Sequence, residues 1–271
     1  MWTRRHLVGL EDLTREEITA VLDRADAFAP DGHARPGTGK PLAGKTVLLL
    51  FFEPSTRTST SFEIAARNLG AGVLRFTRAS SSTAKGETLI DTARNIAAMG
   101  PVDVAVIRHA APGASELLAR SIDASVVNAG DGSHEHPTQG LLDVLTIRRR
   151  KGAFEGLKVA IVGDIAHSRV ARSDIFALNT LGADVTVCGP ATLIPEHITD
   201  LGVRVTCDFD ALIPEMDVIN MLRIQHERMT GPLLPSNREY TRLFGLTRER
   251  ERRMKPDALV MHPGPINRGV E

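Results

Sequence analysis

The feature that most constrains the fold is a repeated alternation of short apolar runs with helical segments. The first half of the chain contains the strand-like segments TVLLLFF, AGVLRFT, DVAVIRH and ASVVNA, and the second half contains LKVAIVGD, DVTVCGP, VRVTCDF, DVINMLR and ALVMHPG. Apolar strands separated by helices are typical of parallel sheets that are covered on both faces. We therefore predict an α/β protein with two doubly wound parallel-sheet domains that face a shared cleft.

The length of 271 residues and one break in the pattern predict where the domains meet. A chain of this length fits two domains of ordinary size. A predicted helix from about Thr138 to Arg150 ends in the basic run RRRKG, and the strand pattern restarts after it. We place the boundary near Lys151, which gives domains at 1–150 and 151–271. The basic run itself is expected to be a solvated helix end that complements the helix dipole.

Composition excludes several classes of function. Lys plus Arg and Asp plus Glu both number 33, and the chain has one Trp and one Tyr, so we expect no nucleic-acid partner. The apolar run VLLLFF is too short to span a membrane, and no signal segment is visible at the start. Two cysteines suit a reducing compartment, so we predict a cytoplasmic protein.

Polar clusters follow the predicted strands at their carboxyl ends, where doubly wound sheets bind ligands. These clusters are EPSTRT, RHAAPG, GDGSHEHPTQ, GDIAHSR, MLRIQHER and HPGPINRG. The first cluster places Ser55, Thr56, Arg57 and Thr58 at a predicted helix start, where main-chain N–H groups, hydroxyls and a guanidinium can hold a phosphate. The alternative is an ordinary N-cap beside an exposed arginine. The spacing of these residues alone does not decide between a phosphate site and a simple N-cap.

Five motifs in order resemble one enzyme family. The string Phe51-x-Glu-x-Ser-Thr-Arg-Thr is followed by KGET at Lys85, RH at Arg108, HPTQ at His136 and HPGP at His262. Together they resemble the aspartate and ornithine carbamoyltransferases, and the resemblance covers essentially the whole chain. It implies a carbamoyl phosphate site made by the first domain, with these residues: Ser55, Thr56, Arg57, Thr58, Arg108, His136 and Gln139.

The resemblance also implies the chemistry. An amine attacks the carbonyl carbon of carbamoyl phosphate, and Thr58, Arg108 and His136 stabilise the oxyanion that forms. The departing phosphate can take the amine proton, so no cofactor, metal or protein nucleophile is expected. The HEH string at His134–His136 does not have the spacing of a zinc site on a helix.

The second domain is expected to bind the amine substrate. Taken alone, Arg169 and Arg223 would be ordinary surface residues, but two arginines suit the two carboxylates of aspartate. The resemblance assigns both to these carboxylates and adds further contacts, namely Gln225, Lys85, Pro263, Gly264 and Pro265. The Gly264–Pro265 bond is a plausible cis peptide.

The acceptor is expected to be L-aspartate, with N-carbamoyl-L-aspartate and phosphate as products in pyrimidine biosynthesis. Ornithine enzymes generally carry a cysteine in an HCLP motif, and Pro263 stands at that position here. Two alternatives stay open: an ornithine carbamoyltransferase, and a non-catalytic homologue that serves as a scaffold subunit.

The resemblance further implies a homotrimer with shared active sites. The Ser/Thr-rich loop SSSTAKGET would bring Ser81 and Lys85 into the site of the neighbouring subunit. A second Pro/Gly-rich loop, Gly231 to Gly245, is expected to close over the amine substrate. A regulatory or dihydroorotase chain is a possible further partner. The family normally continues beyond Glu271 with a helix that packs on the first domain, and this helix is apparently missing from the sequence.

Overall fold

A computed structural model describes residues 2–29, 39–77, 87–229, 231, 233–234 and 236–271. The chain divides into two compact units, Met1–Thr138 and Gln139–Glu271, and each is described by itself. The predicted loop residues Ser81 and Lys85 lie outside the described residues, so their roles stay predictions.

Unit 1 is built on a parallel sheet with the strand order β2-β1-β3-β4. Its elements are α1 (Arg15–Phe28), β1 (Thr46–Phe51), α2 (Thr56–Asn68), β2 (Gly72–Thr77), α3 (Leu89–Met99), β3 (Val104–His109), α4 (Ala114–Ala119) and β4 (Ser125–Asp131). Helix α5 (Pro137–Lys151) begins at the end of this unit and continues into the next, and the basic run forms its last turn as predicted.

The core of unit 1 lies on both faces of its sheet. Because successive side chains of a strand point to opposite faces, alternate residues of β1 belong to different clusters. Leu48 and Leu50 pack with Leu118 of α4 on one face, while Leu49 and Phe51 pack with other apolar residues on the second face. All four β1 residues are buried, as expected for a strand inside a doubly wound sheet.

Unit 2 is built on a second parallel sheet with the order β7-β6-β5-β8-β9. Its elements are β5 (Lys158–Val162), α6 (Arg169–Leu181), β6 (Asp184–Cys188), β7 (Arg204–Thr206), α7 (Phe209–Leu212), β8 (Val218–Met221), α8 (Asn237–Phe244), α9 (Arg248–Glu251) and β9 (Leu259–Met261). Its core packs Val162 and Met221 from the sheet against Phe209, Tyr240 and Phe244. The predicted fold class of two parallel-sheet α/β domains is confirmed.

Two predictions about local structure were wrong. The segment Gly231 to Gly245 was predicted as a loop, but its second part forms α8, because the Ser236 side chain caps the helix and Tyr240 and Phe244 are buried in the core. The predicted strand VRVTCDF ends at Thr206, because the Asp208 carboxylate caps α7. At the start of α1, Thr14 and Glu17 form a capping box.

No helix among the described residues is both long enough and apolar enough to cross a bilayer.

Gly163, directly after β5, is the basis of a stability prediction. Its φ is +133°, and an added Cβ would lie 2.7 Å from the Leu222 carbonyl oxygen and 3.0 Å from the Tyr240 hydroxyl. Gly163→Ala is therefore expected to lower the free energy of unfolding by about 3 kcal/mol or more, as strain and overpacking add.

The matched control is Gly152→Ala, because Gly152 has a φ of +82° but nothing within 4 Å of an added Cβ. In this variant the free energy of unfolding is expected to fall by only about 1 kcal/mol, which is the strain of a non-glycine residue in a left-handed backbone conformation. Urea unfolding of both variants measures the difference. Equal losses would show that the close approach of the Leu222 carbonyl does not matter.

Candidate active site

The candidate site residues collect at the point in each sheet where the strand order reverses. In unit 1 this point lies between β1 and β3, and in unit 2 it lies between β5 and β8. The loops that leave the two strands there diverge to opposite faces, which opens a crevice for a ligand at the carboxyl ends of the strands. The sequence clusters EPSTRT and RHAAPG follow β1 and β3, and GDIAHSR and MLRIQHER follow β5 and β8.

The start of α2 has the features of an anion site. Ser55 is the N-cap residue, and its side chain makes no capping hydrogen bond to the helix. Thr56 and Arg57, in the first turn, are exposed. The first N–H groups of a helix lack partners inside the helix and carry part of its positive dipole. Hydroxyl, guanidinium and main-chain donors thus meet at one helix end.

Arg108, near the end of β3, connects three elements of unit 1. Its Nη2 donates to the Glu53 carboxylate at 3.0 Å, and its Nη1 donates to the Ala129 carbonyl at 3.0 Å. Nη1 also lies 3.5 Å from the Thr58 hydroxyl, at the long limit for a hydrogen bond. The side chains of Arg108 and Glu53 are only 12% and 23% exposed, so the guanidinium is held in one orientation. The structure brings the predicted residues Thr58 and Arg108 together.

The loop between β4 and α5 is held by two buried carboxylates. Asp131 accepts hydrogen bonds from the Gly113 N–H at 2.8 Å and from the Asn128 amide at 2.7 Å, and it contacts His134 at 3.2 Å. Burial opposes the ionisation of Asp131, but these hydrogen bonds and the nearby histidine outweigh it and hold its pKa below the usual value. Glu135 is fully buried and accepts from the Leu10 N–H at 2.9 Å.

This loop presents His136 immediately before Pro137, the first residue of α5. His136 is 8% exposed, and its Nδ1 lies 3.4 Å from the Thr138 hydroxyl. Gln139 follows in the first turn of α5, and its amide donates to the Asp143 carboxylate at 3.1 Å. Both predicted residues therefore lie at the same helix start.

In unit 2, Asp164 joins the loops that follow β5 and β8. This buried carboxylate accepts from the main-chain N–H of Gln225 at 3.1 Å and contacts Nδ1 of His167 at 2.8 Å. The Gln225 side chain donates to the His167 carbonyl at 2.9 Å. These hydrogen bonds join the loop after β5 to the loop after β8, across the point where the strand order reverses.

The two predicted anchor arginines lie on these tied loops. Arg169 is the first residue of α6, which Ser168 caps, and it is 5% exposed. Arg223 follows β8, and its guanidinium binds the Glu227 carboxylate through Nη1 at 3.1 Å and through a second contact at Nη2. One cationic side chain thus lies at the start of the helix that follows β5, and the other lies just after the neighbouring strand β8.

The end of the adjacent strand β9 carries Pro263, Gly264 and Pro265. The Gly264–Pro265 peptide is cis, which confirms that prediction. The Gly264 N–H donates to Nδ1 of His262 at 2.8 Å, so a side chain of the same segment fixes the turn. The order β5-β8-β9 places this turn in the same sheet edge as Arg169 and Arg223.

Sequence reasoning missed four acidic residues that support these groups: Glu53, Asp131, Glu135 and Asp164. Each lies inside a motif that the sequence analysis did single out, namely EPSTRT, GDGSHEHPTQ and GDIAHSR. An acid near the end of a strand was the available signal, since carboxylates that are shielded from water need hydrogen-bond partners. Among the described residues, no group of three or more His, Cys, Asp or Glu is arranged to bind a metal.

Comparison with known families assigns both halves of the chain. Residues 5–149 match the aspartate/ornithine carbamoyltransferase carbamoyl-P binding domain, and residues 155–271 match the Asp/Orn binding domain of the same family. The chain belongs to the aspartate/ornithine carbamoyltransferase family.

Two relatives with more than half of their residues identical carry the same name. The aspartate carbamoyltransferase catalytic subunit of Rhodospirillum rubrum is 57% identical over 270 residues, which are 100% of this chain and 84% of that protein. The protein of the same name from Myxococcus xanthus is 55% identical over 267 residues, which are 98% of this chain and 89% of that protein.

Solved structures of the family share the fold. Aspartate transcarbamoylase from Trypanosoma cruzi in complex with carbamoyl phosphate has a TM-score of 0.83 and 31% identity, covering 97% of this chain and 85% of that one. The catalytic subunit of the M. Jannaschii enzyme has a TM-score of 0.79 and 37% identity, covering 98% of this chain and 89% of that one.

The support of the His136 loop by Asp131 can be tested through stability. Asp131→Asn is expected to lower the free energy of unfolding by about 2 kcal/mol near pH 7, because charge-assisted hydrogen bonds are lost. The folded-state pKa of Asp131 lies below its unfolded value. Its contribution is therefore present above about pH 4 and is lost as the pH falls through the folded pKa.

Urea unfolding near pH 7 and near pH 3 measures this effect, with the gap between wild type and variant shrinking in acid. The control is Asp123→Asn, at a fully exposed carboxylate before β4, which is expected to change stability by less than about 0.5 kcal/mol. An Asp131→Asn protein as stable as wild type at neutral pH would contradict the assigned support.

Proposed function

We propose that this protein transfers the carbamoyl group of carbamoyl phosphate to the amino group of L-aspartate, giving N-carbamoyl-L-aspartate and phosphate. Family membership and the shared name of its relatives support the reaction. The observation that carries the proposal is the guanidinium of Arg108, which Glu53 and Ala129 hold against the Thr58 hydroxyl at the reversal of strand order.

The start of α2 is proposed to bind the phosphate of carbamoyl phosphate. Hydroxyl donors are supplied by Ser55, Thr56 and Thr58. The exposed Arg57 can bind two phosphate oxygens through two parallel N–H donors of its guanidinium. The helix start adds main-chain N–H groups and a partial positive charge. Because Ser55 does not cap the helix through its side chain, its hydroxyl can turn to a ligand.

Carbamoyl transfer needs donors aimed at the carbonyl oxygen, where negative charge develops. We assign this role to Thr58, Arg108 and His136, with Gln139 contacting the carbamoyl group. A Thr58 hydroxyl that accepts from Arg108 can direct its own hydrogen to the substrate. If the Thr138 hydroxyl donates to Nδ1 of His136, the ring proton resides on Nε2 and can be donated.

The proton of the amine is proposed to leave with the phosphate. The amine nitrogen forms a bond to the carbonyl carbon, and the tetrahedral intermediate then breaks its bond to the phosphate oxygen. The departing phosphate takes up the amine proton, so atoms and charges balance without a protein nucleophile. The protein contributes orientation and fixed donors, which are typically worth about 10²–10³ in rate for each oxyanion contact.

Unit 2 is proposed to bind L-aspartate. Arg169 and Arg223 would each bind one carboxylate, with Gln225 assisting, and the carbonyl groups of Pro263 and Gly264 would receive the amino group. In the structure Arg223 binds Glu227, whose side chain is 56% exposed. An exposed ion pair contributes little free energy, so a substrate carboxylate can replace Glu227 as the partner of Arg223 with a small loss of binding free energy.

Choice of acceptor separates the proposal from its rival within the family. With carbamoyl phosphate present, the purified protein is expected to form carbamoyl aspartate from L-aspartate and no product above background from ornithine, because the two arginines match a dicarboxylate. Chromatography of the products with each amine decides it. Preferential use of ornithine would overturn the acceptor assignment, and no turnover with either amine would favour a non-catalytic homologue.

Arg57→Ala is expected to reduce kcat/KM for carbamoyl phosphate by about 10²–10³, because a charge-assisted contact to the phosphate is lost. The folded state should be unaffected, since the side chain is exposed. The matched control is Arg67→Ala, in the last turn of the same helix, where the arginine pairs with Glu63 and lies away from the helix start. Steady-state kinetics of both variants measures the contrast, and near-normal rates for Arg57→Ala would contradict the phosphate site.

We further propose a homotrimer in which Ser81 and Lys85 of one subunit complete the site of its neighbour, and in which Lys85 contacts aspartate. The support is the family resemblance of the KGET motif. A place in pyrimidine biosynthesis follows from the proposed product. A cytoplasmic location is proposed because Cys188 and Cys207 are both free thiols.

A further inference from the structure

Two buried carboxyl groups meet between α5 and α6, outside the groups assigned to the substrates. Asp143 of α5 is 6% exposed, and Asp174 of α6 is 1% exposed. One oxygen of each is held by an amide. Gln139 donates to Oδ1 of Asp143 at 3.1 Å, and Asn220 of β8 donates to Oδ2 of Asp174 at 2.8 Å.

The two remaining oxygens point to a shared proton. Oδ2 of Asp143 and Oδ1 of Asp174 are buried, and within the described ranges neither has a hydrogen-bond partner. Each carboxyl group lies close enough to the other to shift its pKa. Two ionised carboxylates have no hydrogen to share and would repel each other in a buried site, so this contact requires a proton on one of them.

The surroundings favour retention of that proton. Burial raises the pKa of Asp143, and burial followed by the charge of Asp143 raises the pKa of Asp174 well above its usual value. The partners supplied by α5 and β8 are the neutral amides Gln139 and Asn220, and on α6 the nearby Arg172 lies over the ring of Phe176. Within the described part of the chain, Asp174 is therefore the titratable group that shifts the pKa of Asp143, and Asp143 is the titratable group that shifts the pKa of Asp174.

The pair lies between two helices whose first turns carry proposed substrate contacts. Asp143 is one helical turn after Gln139 and holds its amide, while α6 begins at Arg169. A buried carboxyl pair is a costly way to join two helices, since apolar residues of similar volume are often as stable or more stable. Because Asp143 orients the Gln139 amide, a role in positioning that amide would explain why the carboxyl pair is present.

We propose that Asp143 and Asp174 share one proton and act as positioning residues that hold the Gln139 amide in place for carbamoyl transfer. The inference rests on the proposed role of Gln139 in binding the carbamoyl group. It assigns no contact with substrate to either aspartate.

The isosteric variant Asp174→Asn tests the shared proton. Its amide can donate to Oδ2 of Asp143 and accept from Asn220, so both hydrogen bonds persist without a proton. In wild type, the native state keeps one proton that the unfolded chain releases above about pH 5. Between that pH and the raised pKa of the folded pair, its folding constant should therefore fall about tenfold per pH unit relative to the variant. Urea unfolding at several pH values measures this ratio, and a ratio that does not change with pH would overturn the shared proton.

The catalytic readout uses the same variant and a truncation. Asp174→Asn is expected to keep kcat within about twofold of wild type near neutral pH and to extend activity to higher pH, whereas Asp174→Ala is expected to lose at least tenfold in kcat with KM for aspartate nearly unchanged. The conservative variant thus restores what the truncation loses. The matched control is Asp257→Asn, an exposed carboxylate of unit 2 bound to Lys151, which should leave both profiles unchanged.

The variant Gln139→Ala separates failure of this inference from failure of the proposed function. If Gln139→Ala loses activity while Asp174→Ala keeps wild-type kcat, the positioning role is overturned and the substrate site stands. If Gln139→Ala keeps full activity, its assigned contact is wrong and the positioning role is overturned with it. If Asp174→Ala does not fold, the pH profile of Asp174→Asn decides, and an alkaline limb identical to wild type would overturn the role.

Discussion

In each unit, a carboxylate makes a polar contact across the two strands between which the sheet reverses its order. The reversal sends the loops after these strands to opposite faces of the sheet, so side-chain contacts must add to the main-chain hydrogen bonds that join them, such as Phe52 N–H to the Arg108 carbonyl at 2.9 Å. Glu53 and Arg108 make this connection after β1 and β3, and Asp164 makes it to the Gln225 main chain after β5 and β8. Arg108 and Gln225, to which we assign substrate contacts, are thus each held by a carboxylate to which we assign none.

Much of this architecture follows from patterns that are local in the sequence. The apolar runs specify strands, and the helices between them force a parallel arrangement, so two doubly wound sheets were predictable. The start of α2 was also predictable within two residues, because hydroxyl side chains precede an apolar repeat. The same reasoning failed for α8, where Pro and Gly suggested a loop and the burial of Tyr240 and Phe244 decided otherwise.

The partners of the supporting carboxylates were not predictable, because they are set by register and strand order. Glu53 and Arg108 are far apart in the sequence and meet because Phe51 pairs with Arg108 across two parallel strands. Asp143 and Asp174 read as ordinary helix residues, and only the packing of α5 against α6 makes them a buried pair. Motif spacing identifies groups that touch a ligand, whereas groups that hold those side chains in place become visible only in three dimensions.

The segment before α1 shows how one short stretch of chain can serve two purposes. Leu7 pairs with Val127 in parallel along β4, the outer strand of the sheet, and Leu10 donates its N–H to the buried Glu135. The first contact screens an open strand edge from pairing with another molecule, which is the usual route to β aggregation. The hydrogen bond from Leu10 stabilises the buried Glu135 carboxylate, which lies next to His136. The same few residues therefore protect a sheet edge and influence the electrostatics around one histidine.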